Sequence, residues 1–128
     1  MSPPAGLLLD THVFLWWRSD PGRLPAAARK AIAGADLVWV SAASAWEAAI
    51  KVSLGRLELP ETLEAGVLAS GFERLPITFT HAEAAAALPP HHKDPFDRML
   101  VAQAQLEGLV LVTHDRQLAD YEVETFWS

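Results

Sequence analysis

Short apolar runs alternate with longer stretches of helical composition along this sequence. Five apolar runs have the length of buried strands, and they lie at residues 7–9, 37–40, within 73–79, at 109–113 and at 123–127. The stretches between them predict helices over residues 12–19, 25–34, 44–54, 61–70, 81–88 and 95–107. Strands that alternate with helices predict an α/β protein whose parallel sheet is covered on both faces.

The composition predicts one domain over residues 1–128. A chain of this length buries roughly two-thirds of its unfolded surface, so its core needs no disulfide, and cysteine is absent. No apolar run approaches the roughly 20 residues that span a bilayer, so no membrane partner and a cytoplasmic location are expected. The formal net charge of −6 argues against bulk electrostatic binding of nucleic acid. It does not exclude a nuclease, because acids that hold cations contribute to the same count.

Two aspartates stand where predicted strands end. Asp10 directly follows the run at 7–9, and Asp115 comes two residues after the run at 109–113. In an open parallel sheet, ligand sites lie beyond the carboxyl ends of the strands. Both carboxylates are therefore expected on the same rim of the sheet, where they can be neighbours.

Glu47 has two interpretations. The stretch from Ser44 to Glu47 is typical of a capping box, in which Ser44 caps a helix and Glu47 returns a hydrogen bond to the cap. However, Glu47 shares its helix face with Ile50 and Leu54, and an acid beside an apolar stripe is costly without a partner. The pattern alone leaves the structural and the functional interpretation open.

Asp97 lies on the inward face of the helix predicted over 95–107. The residues three, four and seven positions after it are apolar: Leu100, Val101 and Ala104. This spacing places Asp97 at the end of the core-facing stripe. Asp94 precedes Pro95 and is predicted to cap the same helix. An acid in the first turn can simply interact favourably with the helix dipole. However, the inward direction of Asp97 favours a functional role.

Four carboxylates are thus predicted to converge on one rim: Asp10, Glu47, Asp97 and Asp115. Crowded carboxylates repel one another, and some become protonated unless a cation lies among them. Oxygen ligands without cysteine suit Mg²⁺ or Mn²⁺ rather than zinc. Such an ion polarises a phosphoryl oxygen and lowers the pKa of a bound water. The pattern therefore predicts hydrolysis of a phosphodiester.

Three stretches read LLLDTHVFLWW, SAASAWEAAIKVSLGRLELP and LPPHHKDPFDRMLVAQAQLEGLVLVTHD, and with their spacing they cover nearly the whole chain. They resemble PIN-domain proteins, and specifically VapC-type toxins of type II toxin–antitoxin systems. The four acids of that family match, in order, Asp10, Glu47, Asp97 and Asp115. The resemblance implies a PIN-like three-layer α/β/α sandwich with a central parallel sheet of about five strands.

The same resemblance implies a Mg²⁺- or Mn²⁺-dependent endoribonuclease that acts as a toxin. It assigns both metal binding and catalysis to the four matched acids, Asp10, Glu47, Asp97 and Asp115. It also implies an RNA substrate, a homodimer, and a cognate antitoxin whose C-terminal segment occupies a groove beside the site.

Residues near the acids carry less specific predictions. Thr11 and Thr113 have hydroxyls that can orient an acid or a water, although turn hydrogen bonds are their commoner use. Lys51, Arg98 and Arg116 are candidates to meet RNA phosphates. Alternatively, Lys51 pairs with Glu47 at helical spacing, and either arginine is a solvated charge. A metal–water mechanism requires no histidine. All five histidines are therefore left out of the catalytic set: His12, His81, His91, His92 and His114.

Two other classes of protein compete with the nuclease interpretation. The first is a PIN-fold interaction module with little or no turnover, against which the complete set of mutually repelling acids argues. The second is an aspartyl-phosphate phosphatase. That chemistry usually needs a second aspartate two residues after the first and a late lysine. Here His12 follows Asp10 at that spacing and the last lysine is Lys93.

Overall fold

The computed structural model describes residues 6–121 and the backbone of the strand Thr125–Trp127. Within these residues, five strands form one sheet in the order β3-β2-β1-β4-β5, and every neighbouring pair is parallel. Their bounds are β1 Leu7–Leu9, β2 Val38–Ser41, β3 Glu73–Leu75, β4 Val110–Thr113 and β5 Thr125–Trp127. The prediction of a parallel sheet of about five strands is confirmed. Residues 123–124 of the last predicted strand lie outside the described residues.

In the described part of the chain, six α-helices connect the strands, and each lies close to a helix predicted from the sequence. Their bounds are α1 Thr11–Ser19, α2 Ala26–Gly34, α3 Ala42–Ser53, α4 Leu63–Ala69, α5 Phe79–Ala87 and α6 Pro95–Glu107. Short 3₁₀ helices at Pro21–Arg23 and Arg116–Asp120 complete the described elements. Among these described helices, none has both the length and the apolar character needed to cross a bilayer.

The sheet separates two apolar clusters. Leu9, Val40 and Val112 are partners across three adjacent strands and belong to one cluster, whereas Leu8 and Leu111 belong to the other. Successive strand residues point to opposite faces, so the clusters lie on opposite sides of the sheet. Side chains of α1, α2, α3 and α4 contribute to the first cluster, and side chains of α6 to the second. The predicted three-layer sandwich is therefore confirmed.

The start of α6 shows how local sequence positions a predicted acid. The carboxylate of Asp94 accepts hydrogen bonds from the amides of Phe96 (2.8 Å) and Asp97 (3.2 Å), and Pro95 is the first helical residue. The helix ends at Gly108, whose φ of 68° is a left-handed conformation that glycine adopts without strain. Both the predicted cap and the predicted stop are confirmed. Asp97 consequently lies in the first turn, beside the sheet rim.

Candidate active site

Asp10 is a buried carboxylate at the junction of β1 and α1. One oxygen accepts from the amide of Val13 (2.8 Å) and caps α1. The other accepts from the Thr113 hydroxyl (2.6 Å) and from the His114 amide (3.1 Å). Only 6% of the residue is exposed, and this burial raises the pKa of Asp10 although the three hydrogen bonds oppose the shift. These hydrogen bonds hold Asp10 in one orientation beside the end of β4, at the carboxyl rim of the sheet where the sequence predicted it.

Glu47 lies in the second turn of α3 and is also buried, but it is not part of a capping box. Ser41 caps α3 by accepting from the Ala43 amide (3.0 Å), and Ser44 lies inside the helix. The capping-box interpretation of Ser44 and Glu47 is therefore wrong. Ser41 ends β2 by pairing with Leu75 of β3, and α3 begins at Ala42, two residues earlier than predicted.

The side chain of Glu47 instead joins α3 to α1. The Thr11 hydroxyl donates to one of its oxygens (2.7 Å) and also lies 2.9 Å from the Ser44 hydroxyl. The other oxygen is 3.0 Å from the ammonium of Lys51, one helical turn on. The helical ion pair considered from the sequence is thus present. Thr11 and Thr113 each hold one acid, so their hydroxyls serve more than local turn bonding.

Asp97 has the clearest electrostatic signature of the four acids. Its pKa is raised from 3.8 to about 7. Burial is the largest cause, followed by the charge of Asp94. Asp10 and Glu47 add smaller repulsive contributions. The structure therefore brings Asp97 within electrostatic range of two other predicted acids. A cation bound beside these carboxylates would offset their mutual repulsion.

Asp115 is the most accessible of the four, with 37% of its side chain exposed. One oxygen caps the following 3₁₀ helix by accepting from the Gln117 amide (2.9 Å). The other lies 2.9 Å from Nε2 of His92. The Asp115 amide donates to the Thr113 hydroxyl (3.0 Å), the group that also donates to Asp10. Thr113 therefore links the two aspartates that follow neighbouring strands.

His92 belongs to this site although sequence reasoning left it out. Its Nε2 lies between Asp115 and the Oδ2 atom of Asp97, 3.5 Å away. One donor atom from each of these three residues lies within 4.8 Å of the other two. The sequence lacked a second histidine at metal-ligand spacing, and nothing local links His92 to a residue 23 positions later. Only the fold brings them together.

The basic residues proposed to meet RNA phosphates divide into two groups. Lys51 borders the site through Glu47, and Arg116 begins the 3₁₀ helix that follows Asp115. Arg98 fits neither interpretation made from the sequence, a contact to RNA phosphates or a solvated charge. Its guanidinium donates to carbonyl oxygens of residues 85, 88, 89 and 92 at 2.9–3.2 Å. Arg98 therefore satisfies the end of α5 and the segment before α6 rather than facing solvent.

The remaining histidines lie around the site or away from it. His81 is buried, closes a capping box with Thr78 at the start of α5, and its Nε2 is 3.1 Å from Glu107. The His91 ring lies edge-on to the Tyr121 ring, with centroids 5.0 Å apart. The rings of His12 and His114 lie 6.1 and 5.0 Å from that of Trp16. Their exclusion from the catalytic set stays a prediction.

The arrangement fits a hard divalent cation. The four acids offer carboxylate oxygens, and burial raises the pKa of Asp10 while burial and neighbouring charge raise that of Asp97. Carboxylates with such raised pKa values gain most from a cation placed among them. Oxygen donors of this kind suit Mg²⁺ or Mn²⁺, which a phosphodiester hydrolase uses to stabilise charge on the phosphoryl group.

The structure is thus a parallel α/β sandwich with acids gathered at the carboxyl rim of its sheet. The family model of the PIN domain matches residues 7–124, and the chain belongs to the PIN-domain family. The chain is 39% identical over 118 residues to "Ribonuclease VapC22" of Mycobacterium tuberculosis. That alignment covers 90% of this chain and 91% of the relative.

Solved structures share the fold at lower identity. VapBC2 from Rickettsia felis, bound to a promoter DNA fragment, superposes with a TM-score of 0.70 at 12% identity and covers 95% of this chain and 98% of that chain. FitAcB from Neisseria gonorrhoeae gives 0.65 at 22% identity, covering 94% and 96%. A toxin–antitoxin complex from Klebsiella pneumoniae gives 0.59 at 21% identity, covering 85% and 86%.

Proposed function

We propose that this chain is a metal-dependent endoribonuclease and the toxin of a toxin–antitoxin pair. The activity is supported by its 39% identity to a protein named as a ribonuclease over nine-tenths of the chain. The observation that carries the proposal is the acid cluster, in which Asp97 has a pKa of about 7 because it is buried among other carboxylates. A fold that did not use a cation would gain stability by losing these charges.

We assign the metal site to Asp10, Glu47, Asp97 and Asp115, with Mg²⁺ or Mn²⁺ as the ion. When bound, the ion supplies an activated water and stabilises the charge that develops on the phosphate. The protein's own contribution is orientation. Thr113 and the His114 amide fix Asp10, Thr11 fixes Glu47, and Asp94 holds the helix turn that carries Asp97.

The proposed partners are RNA, a cognate antitoxin and a second copy of the chain. The antitoxin is supported by the fold shared with a toxin–antitoxin complex, and RNA is supported by the name of the curated relative. The homodimer rests on the family resemblance. We further propose that residues 1–128 act as a single domain and that the protein works in the cytoplasm.

The proposed activity is tested with total RNA and the purified chain freed of antitoxin. Reactions contain Mg²⁺, Mn²⁺ or EDTA, and Asp97→Asn is compared with Asp36→Asn. Asp36 is exposed and lies before β2, at the opposite edge of the sheet from the acids, so it controls for the chemical change. We expect discrete cleavage by wild type and Asp36→Asn in either metal, none in EDTA, and a loss of 100-fold or more for Asp97→Asn, on the order of removing one electrostatic catalytic group.

The result also separates the nuclease from the interaction module. If wild type leaves RNA intact in both metals and calorimetry detects no bound divalent ion, the enzyme interpretation is wrong. Cleavage that persists in EDTA or in Asp97→Asn would point to a contaminating ribonuclease instead.

A further inference from the structure

His92 connects two acid-bearing elements of the rim. Its ring lies in the segment before α6, and its Nε2 reaches Asp115 at the end of β4 at 2.9 Å. The same nitrogen is 3.5 Å from Asp97. Proximity alone makes His92, Asp97 and Asp115 resemble a three-residue metal site with a nitrogen ligand.

The second ring nitrogen argues against a nitrogen ligand. Nδ1 of His92 accepts a hydrogen bond from the backbone amide of Asp94 (3.0 Å). Because Nδ1 accepts, the ring hydrogen lies on Nε2, and Nε2 donates to Asp115. A histidine that binds a metal shows the opposite polarity, since it usually donates its other N–H to a carboxylate or a carbonyl.

Further contacts hold the backbone of His92 in place. The His92 amide donates to the Tyr121 hydroxyl (2.9 Å), and the His92 carbonyl accepts from Arg98 (3.2 Å). Only 14% of the His92 side chain is exposed, compared with 37% for Asp115. The more buried residue therefore restrains the more exposed one, which reduces the conformational entropy that Asp115 loses when it binds an ion.

We infer that His92 is a positioning residue: its Nε2–H, oriented by the Asp94 amide, holds Asp115 beside Asp97 and does not itself bind the metal. The inference rests on the proposed metal site of the four acids. It predicts that what matters at position 92 is a hydrogen-bond donor at the place of Nε2, not an imidazole nitrogen lone pair.

The test measures Mn²⁺ affinity by calorimetry for wild type, His92→Gln, His92→Ala and the control His91→Gln. Glutamine can place an amide N–H near the position of Nε2. His91 is the adjacent exposed histidine and contacts the Tyr121 ring instead of an acid. We expect His92→Ala to bind Mn²⁺ 10- to 100-fold more weakly, as for other residues that orient metal ligands. His92→Gln should stay within about threefold of wild type, and His91→Gln should be unchanged, on the same principle.

Two spectroscopic readouts identify the role of the ring directly. In the metal-free protein, NMR of the imidazole nitrogens should place the hydrogen of His92 on Nε2, with its signals assigned by their absence in His92→Gln. In the Mn²⁺-loaded protein, pulsed electron paramagnetic resonance should detect no directly bound imidazole nitrogen.

Several outcomes would overturn the inference. It fails if His92→Gln loses as much affinity as His92→Ala, if neither variant changes affinity, if the ring hydrogen lies on Nδ1, or if a bound nitrogen is detected. RNA cleavage is scored separately. If the variants bind Mn²⁺ with the expected pattern but the wild type does not cleave RNA, only the proposed function is overturned. If the wild type binds no Mn²⁺, both the proposed function and the inference about His92 are overturned.

Discussion

At the scale of single residues, Asp97 lowers the stability of the metal-free protein and provides a carboxylate that can bind a cation. Its pKa is about 7 in the folded protein, against an ordinary value of 3.8. Between these two values the folded protein binds a proton that the unfolded chain has released. The free energy of unfolding therefore falls as pH rises from about 4 to about 7. Above that window, the folded state carries the full cost of the buried charge.

Asp97→Asn should consequently stabilise the metal-free protein above pH 7. We expect a gain on the order of 4 kcal/mol at pH 8, and almost none at pH 4, where the wild-type carboxyl is largely protonated. Urea unfolding in EDTA at both pH values measures the difference, with Asp36→Asn as the matched control. Equal stability of Asp97→Asn and wild type at pH 8 would contradict the raised pKa.

Divalent ions should reverse the order of stability. An ion that binds the folded acids but not the unfolded chain stabilises wild type by mass action, and the variant lacks one of the ligands. In saturating Mn²⁺ at pH 8, wild type is therefore expected to unfold at a higher urea concentration than Asp97→Asn. If Asp97→Asn remains more stable than wild type in Mn²⁺, Asp97 is not part of the metal site.

At the scale of elements, Arg98 joins α5, the segment before α6 and α6 itself. The last carbonyls of a helix have no partner within the helix, and the guanidinium supplies donors to those of α5. It also donates to the carbonyls of Pro89 and His92. The loop that presents His92 to the acids therefore depends on a side chain directed away from them.

Arg98→Gln should destabilise the fold because several half-buried carbonyls lose charged donors. We expect a loss of about 2 kcal/mol in the free energy of unfolding, the range for hydrogen bonds to charged groups. Arg74→Gln is the matched control, since Arg74 makes an ion pair with Glu64 in which both side chains are 62% exposed. Such an exposed pair contributes less than about 1 kcal/mol. Similar losses in both variants would contradict the structural role of Arg98.

Elements whose signals are local were predictable from the sequence. Asp94 before Pro95 and Gly108 after the last periodic residue define α6, and the apolar spacing after Asp97 indicates its inward direction. Asp10 and Asp115 follow from a topological rule about parallel strands. Three of the four acids were thus placed at the rim by pattern and topology alone, and the fourth, Glu47, with two interpretations.

Features that depend on distant pairing were not predictable. Ser41 and Ser44 are equally good caps, and the choice between them is made by the pairing of Ser41 with Leu75 in β3. The bond from His92 to Asp115 joins residues whose proximity requires that α6 and β4 pack together. Arg98 looked like a surface charge because its carbonyl partners lie on another helix.

At the scale of the whole molecule, an acidic protein must bind RNA through local charge. With a formal net charge of −6, long-range attraction opposes an RNA partner. Beside the acids, however, a cavity of about 420 Å³ is lined by Arg23, Lys51 and Arg56, together with Trp16 and the acid Asp20. The guanidinium of Arg23 lies 4.8 Å from the Trp16 ring centre.

Arg56→Gln should therefore weaken RNA binding and lower its salt dependence. We expect the slope of log affinity against log salt to decrease in magnitude by about 0.7 to 1, the value for one phosphate contact. Fluorescence anisotropy with a labelled single-stranded RNA, in an Asp97→Asn background that prevents cleavage, measures the slope. Arg29→Gln, an exposed arginine of α2 that does not line the cavity, is the control. Equal slopes for the two variants would exclude this cavity from the RNA path.

The hydrogen bond from Thr113 to Asp10 joins residues 103 positions apart. Translation proceeds from the N-terminus, so Asp10 and Glu47 are synthesised before Asp97, Thr113 and Asp115. A nascent chain still short of β4 has neither the donor that fixes Asp10 nor the last acid. The acid site is thus completed only after translation has passed Asp115, and a fragment that stops before β4 lacks a complete set of acids.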